Sequence, residues 1–154
     1  MQKKEVIRQL IHIFFGSLII GLLAFFGTQV TLSVLIIAFI IGSIISALIF
    51  SGDSIPFFSN FVKSVERDYE FHLPGQGALI FFFSAIIVMA LFPNPMIVLG
   101  ALIVFVYGDG FSALIGQSMG VTPLPNNKTL EGSFFGILVS IILLSFFFPF
   151  PIAI

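Results

Sequence analysis

Asp109 stands between two glycines in Tyr107-Gly108-Asp109-Gly110, inside an otherwise apolar stretch. A carboxylate at the centre of a spanning helix costs ~2.5–3.5 kcal/mol on insertion scales, so an ionisable group there marks a functional site by default. The flanking glycines admit two geometries. They weaken the helix and allow a break whose exposed amides face an anion. In a continuous helix, Asp109, Ala113, Gly116 and Gly120 instead fall along one face, a groove of small residues with an acid at one end. The competing structural account is a close-packing seam in which Asp109 caps a half-helix, and Gly-Asp-Gly alone also marks simple turns.

A second group follows the turn at Asn126-Asn127, in Lys128-Thr129-Leu130-Glu131-Gly132-Ser133. Lysine is a point charge suited to phosphate oxygens, a Thr hydroxyl binds phosphate or a metal-bound water, and a carboxylate holds Mg²⁺. Helix capping by Thr129 and anchoring by Lys128 explain the same residues without a ligand. Near the N-terminus, Glu5, Arg8, His12 and Gly16 recur at spacings of three and four, which places them on one helical stripe. That stripe is either a polar wall beside Asp109 or a buried histidine with a snorkelling arginine. Glu66, Arg67, Asp68, Glu70 and His72 form a last group, read either as a divalent-metal site or as a solvated interfacial segment.

The elements that must position these residues are read from composition. Of 154 residues, 58% are hydrophobic and 8% charged, against roughly 25% charged in a soluble domain, and mean hydropathy is +1.21. These values point to an integral membrane protein. A net charge of −1 offers no basic surface to nucleic acid. The absence of cysteine excludes disulfides, thiolate metal sites and a Cys nucleophile. No Walker loop, kinase Asp-Phe-Gly, His-Glu-x-x-His or Gly-x-Ser-x-Gly motif occurs.

A spanning helix needs about 20 apolar residues, and five stretches qualify, at about 9–26, 31–50, 77–92, 96–115 and 133–148. The expected fold is therefore an all-α transmembrane bundle, a single domain of five spans. The apolar run after Met1-Gln2-Lys3-Lys4 is long and lacks a cleavage site, so it reads as a retained first helix rather than a signal peptide. Two connections, 27–30 and 93–95, are short and uncharged, whereas 51–76 and 116–132 are long and carry charge. Alternating helices put both long loops on the side of the N-terminus, and the positive-inside rule makes that side cytoplasmic. The protein is expected in the cell membrane or an endomembrane.

Gly108-Asp109 with Ala113, Gly116 and Gly120, followed by Lys128-Thr129-x-Glu131-Gly132-Ser133, resembles the signature of the dolichol kinase, phytol kinase and CTP-dependent diacylglycerol kinase family, relatives of the phosphatidate cytidylyltransferases. Glu5-x-x-Arg8-x-x-x-His12 is similar to the Arg-Lys-x-x-His opening of those proteins, with Gln9 where lysine is usual. Glu66-Arg67 leading to Pro74-Gly75-x-Gly77-Ala78 resembles their central loop. The resemblance implies a kinase that transfers the γ-phosphate of CTP to the hydroxyl of a polyprenol or diacylglycerol-like lipid at the cytosolic face. It implies that Asp109 and Glu131 hold Mg²⁺, and that Arg8, Gly108, Gly110, Lys128, Thr129, Glu131 and Gly132 surround nucleotide phosphates. Asp109, Lys128 and His12 are the catalytic candidates, with Asp109 or His12 as base. The alternatives are cytidylyl transfer to a lipid phosphate and, outside enzymes, a small transporter or membrane scaffold. Members of that family continue past the fifth span, so a short member, a truncated chain or a site completed in a homodimer are the readings of the sequence's C-terminus.

Overall fold

The computed structural model describes residues 3–53, 55, 56, 58, 73–125 and 128–148. No proline precedes Pro56, and helical structure runs through α1 (Lys3–Phe50) with one interruption, Gly27, at φ 76° and ψ 176°. Only glycine adopts that backbone conformation cheaply. The His12 ring lies 4.8 Å from that of Phe81, while Phe39 meets Phe83 at 5.8 Å and Gly42 faces Leu79. Residues 12 and 42 would be ~45 Å apart along a straight helix, yet both flank the same part of the next helix. The chain therefore folds back at Gly27 into a helical hairpin. The Thr31 hydroxyl donates to the Gly27 carbonyl at 2.8 Å, a side-chain bond across the first turn of the second arm. The reversal needs one residue, not the four-residue connection expected at 27–30, because the helical arms resume on both sides of it.

Helix α2 (Gln76–Leu91) runs antiparallel to the second arm of α1, tied at one end by Ser46 Oγ donating to the Pro74 carbonyl at 2.6 Å. Asn94 then accepts the Met96 amide at 2.9 Å, and Pro95 at N1 starts α3 (Pro95–Ile103). Helix α3 widens into a π-helical turn (Val104–Gly108) and continues as α4 (Asp109–Met119). A two-stranded hairpin of β1 (Pro123–Leu124) and β2 (Lys128–Thr129), with Pro123 opposite Thr129, leads into α5 (Leu130–Phe147). The loop expected at 116–132 is thus shorter on both sides. Helix α4 reaches Met119, its last turn closed by the Gly120 amide donating to the Gly116 carbonyl at 3.1 Å, and α5 starts at Leu130 because Thr129 caps it.

Among the described residues the fold is all-α apart from that hairpin. Its core, around Leu35, Val98, Leu102, Ile103 and Val106, lies where α1, α2 and α3 meet. The outer surface is apolar as well, with Phe25, Ile40, Phe134, Ile137 and Phe146 exposed. Among the described residues three helices, Lys4–Phe50, Pro95–Met119 and Leu130–Phe147, are long and apolar enough to cross a membrane, which is compatible with an integral membrane protein.

Candidate functional site

The pairings between helices fix the height of each candidate residue. Helix α1 runs antiparallel to the α3–α4 rod: Ser17 Oγ meets Tyr107 Oη at 2.8 Å, Gly16 faces Val106, and Gly110 faces Ile13. Helix α5 is antiparallel to the same rod, with Ser140 and Gly136 beside Gly108, and Gly132 beside Gly116. The N-terminus of α1, the end of α4, the β-hairpin and the start of α5 consequently share one end of the bundle. Every charged residue placed on these helices and the hairpin belongs to that half.

Asp109 does not sit at a helix break. Gly108 (φ −60°, ψ −50°) and Asp109 (φ −70°, ψ −44°) are both helical. The glycines serve the close approach of other helices instead: the π turn rotates Gly108 towards α5 and Gly110 towards α1, both buried, and leaves Asp109 between them and exposed. Asp109 lies ten residues before Met119, ~15 Å from that end of the rod. π turns inside α-helices recur at functional sites.

His12, on the neighbouring stripe, places Nε2 3.3 Å from the Phe105 carbonyl oxygen, within the π turn. A carbonyl only accepts, so Nε2 is the donor in this contact. The ring also packs edge-on against Phe81 and Phe105. Arg8 pairs with Glu5 through Nη2–Oε1 at 2.6 Å, and Gln9 donates to the same oxygen at 3.0 Å. Glu5 and Gln9 are both buried. The stripe Glu5, Arg8, His12, Gly16 thus faces the bundle as its spacing implies, but Arg8 is engaged by its own helix.

The second motif builds the contact between α4 and α5. Thr129 Oγ1 accepts the Gly132 amide at 3.2 Å as N-cap and fills the space over Gly116 and Gly120. A Cβ on Gly132 would stand 2.5 Å from the Ser112 carbonyl oxygen and 2.8 Å from Gly116 Cα, and one on Gly136 would stand 2.6 Å from the Gly108 carbonyl oxygen. Backbone atoms cannot yield as a side-chain tip can, so both positions require glycine. The open groove expected over Gly116 and Gly120 is therefore absent: Thr129 and Gly132 occupy it, because small residues on both helices let the backbones close up. Glu131 closes the loop. Its carboxylate accepts the Val121 amide at 3.1 Å, the Thr122 amide at 3.1 Å and the Thr122 hydroxyl at 2.8 Å. Lys128 is exposed on β2.

The two motifs are brought together as one unit, but Asp109 and Lys128 are not side by side. Thr129 stands at the height of Gly116–Gly120, and Gly116 is seven residues, ~10 Å, along the rod from Asp109. Among the described residues no three His, Asp or Glu side chains cluster as a metal site. The carboxylates proposed as metal ligands, Asp109 and Glu131, come from different heights, and Glu131 is held by the loop. Glu66, Arg67, Asp68, Glu70 and His72 lie outside the described residues. Sequence reasoning passed over Tyr107, Ser17, Ser112 and Ser140. The signal for the last two was the repetition of small residues every fourth position, 108-112-116-120 and 132-136-140, on two helices joined by a short loop.

Fold and site together define an all-α protein with apolar helices of membrane-crossing length and its placed charges gathered in one half. No family model matches the chain, and no solved structure matches it significantly. The uncharacterized protein MJ1137 of Methanocaldococcus jannaschii is 30% identical over 145 residues, which cover 94% of this chain and 73% of the relative. The chain belongs to the same family as that archaeal protein.

Proposed function

We propose that the protein is a membrane-embedded lipid-alcohol kinase that transfers the γ-phosphate of CTP to the hydroxyl of a polyprenol or diacylglycerol-like lipid, with Mg²⁺ as the assisting cation. On this reading the two arms of α1, α2, the α3–α4 rod and α5 are five spans, and the charged half faces the cytosol, where nucleotide is available. The observation that carries the reading is the join between the motifs: Thr129 and Gly132 of the second pack on Gly116 and Gly120 of the first, as one site built from both requires. Phosphoryl transfer needs positioning and charge neutralisation more than covalent chemistry. Lys128, exposed at the rim, supplies a cation to phosphate oxygens. Asp109, deeper and unburied, is available to a metal ion or to the lipid hydroxyl, and His12, held against the turn before it, is a neighbour that can exchange a proton. The ~10 Å of height between the rim and Asp109 is to be spanned by the nucleotide's phosphate chain.

The non-enzymatic alternative draws on an observation too. The glycine seam and the clamp made by Glu131 account for much of the second motif as architecture, which favours a scaffold in which Asp109 serves assembly or ion flux.

Purified protein in lipid vesicles, incubated with Mg²⁺, CTP and a panel of lipid alcohols and lipid phosphates, separates these readings. Label from the γ-phosphate is expected in the lipid, lost in Asp109→Asn and Lys128→Ala. Label from the α-phosphate in the lipid would replace kinase by cytidylyl transfer. No turnover with any lipid, with Asp109→Asn altering only ion flux or assembly, would establish the scaffold or transporter instead.

A further inference from the structure

The π turn is where α1 takes hold of the α3–α4 rod. The Asp109 amide donates to the Val106 carbonyl, three residues back, where an unbroken α-helix would use that of Phe105. His12 Nε2 of α1 stands 3.3 Å from that same Phe105 oxygen. Further along α1, Ser17 gives its hydroxyl proton to the Ile13 carbonyl at 2.6 Å, so Tyr107 is the donor in the 2.8 Å contact between the two hydroxyls. Val106, wholly buried between them, packs on Gly16, with no room there for a Cβ. The Phe105 ring stacks on Phe81 at 5.4 Å, and His12 meets both rings edge-on. Three successive residues of the turn, Phe105, Val106 and Tyr107, are thus each held by α1.

A single π turn inserts one residue and so rotates everything after it by about 100° relative to a continuous α-helix. With α3 fixed, closing the turn to α would carry Asp109 to the direction that Gly110 now takes, where a Cβ stands 2.7 Å from Ile13 Cγ1. The turn therefore decides whether the carboxylate lies on the open side of the rod, as it does, or against an apolar side chain of α1. A π turn is rare on its own account, and both side-chain hydrogen bonds made to this one among the described residues come from α1. We propose that His12 and Tyr107 are positioning residues: by holding the π turn they aim Asp109 at the reacting groups, His12 acting through the Phe105 carbonyl and not as a proton carrier. That Asp109 does chemistry rests on the kinase reading; that α1 sets its direction rests on the turn alone.

The direction of residue 109 is read first, in the full chain, which has no cysteine of its own. Asp109→Cys removes the charge that itself shuns Ile13 and leaves the turn to the α1 contacts. In detergent, N-ethylmaleimide is expected to label that thiol, and His12→Phe combined with Tyr107→Phe to slow the labelling at least fivefold. His12→Gln, whose amide nitrogen replaces Nε2 as donor, is expected to leave the rate within about twofold. Labelling that stays the same or quickens in the double variant would overturn the proposal. Phosphoryl transfer from CTP in lipid vesicles is read next, with Asp109 in place. His12→Phe is expected to lower it roughly tenfold or more, as misplacing a reacting group does, and His12→Gln to bring it back to within about threefold of the unaltered chain. Transfer as slow in His12→Gln as in His12→Phe would make His12 a proton carrier and overturn its positioning role. Labelling that depends on the turn, with no transfer to any lipid by the unaltered chain, would sink the kinase reading and keep the positioning. Transfer with labelling indifferent to His12 and Tyr107 would do the reverse.

Discussion

The two ends of the α3–α4/α5 pair are made by the same two helical runs and do opposite things. At the charged end Gly108, Gly116, Gly132 and Gly136 bring backbone against backbone, with Thr129 seated over the glycines and Glu131 gathering the loop. At the other end Met96, Val104, Leu144 and Phe148 hold the helices apart around an apolar groove. The contrast teaches that residue size, graded along a helix pair, can build a clamp and a slot from one register. Polarity differs between them as well: side-chain hydrogen bonds of Thr129, Glu131 and Ser140 gather at the clamp, whereas the Ser145 hydroxyl at the other end bonds within its own helix.

The sharpest way to break the contrast is to put bulk into the clamp. Gly132→Leu forces a side chain into the Ser112 carbonyl and the Gly116 backbone, and is expected to destabilise by ~3 kcal/mol or more, above the usual range for overpacking. A fall in the thermal unfolding midpoint in detergent would register it. If the functional reading holds, Asp109→Asn should cost ~100-fold in phosphoryl transfer, ~2.7 kcal/mol at the transition state, while the unfolding midpoint stays put. An equal loss of stability would make Asp109 a packing residue.

Smaller effects refine the clamp. Replacing His12 by Phe keeps the ring packing and removes the hydrogen bond to the Phe105 carbonyl, for an expected ~1 kcal/mol. Thr129→Ala deletes the N-cap of α5 for a similar ~1 kcal/mol, and circular dichroism melting measures both. In the slot, Gly100→Leu should cost no more than ~1 kcal/mol, since a Cβ there stands 3.4 Å from the Phe148 ring and 3.6 Å from Leu144, in contact with side-chain ends that can move rather than with backbone. A penalty as large as that at Gly132 would mean that the two ends are packed alike.

Much of this organisation was legible beforehand. Apolar runs of spanning length gave the helices, the short connection at 93–95 marked the place just before α3 to within a residue, and the spacing of Glu5, Arg8, His12 and Gly16 identified the stripe of α1 that faces the bundle. The helix boundaries shifted where local hydrogen bonds extend a helix past its apolar run, as Thr129 does for α5. Gly108 and Gly110 suggested a break, a ligand groove or a close-packing seam; the structure uses them as the seam, with Gly108 ending a π turn that continues α3.

By itself the sequence determined that this chain is a helical protein of apolar surface, with its charged residues concentrated in two motifs, an N-terminal stripe and the 51–76 stretch. Composition and periodicity act locally, so they can be read without a partner. Tertiary structure alone decided that Gly116 and Gly120 are filled by Thr129 and Gly132, that Glu131 binds its own loop, that Asp109 lies ~10 Å deeper than the lysine motif, and that a groove opens where the helices part. Those outcomes depend on the register between helices, and register is set by the fit of surfaces far apart in the chain, which no local pattern records.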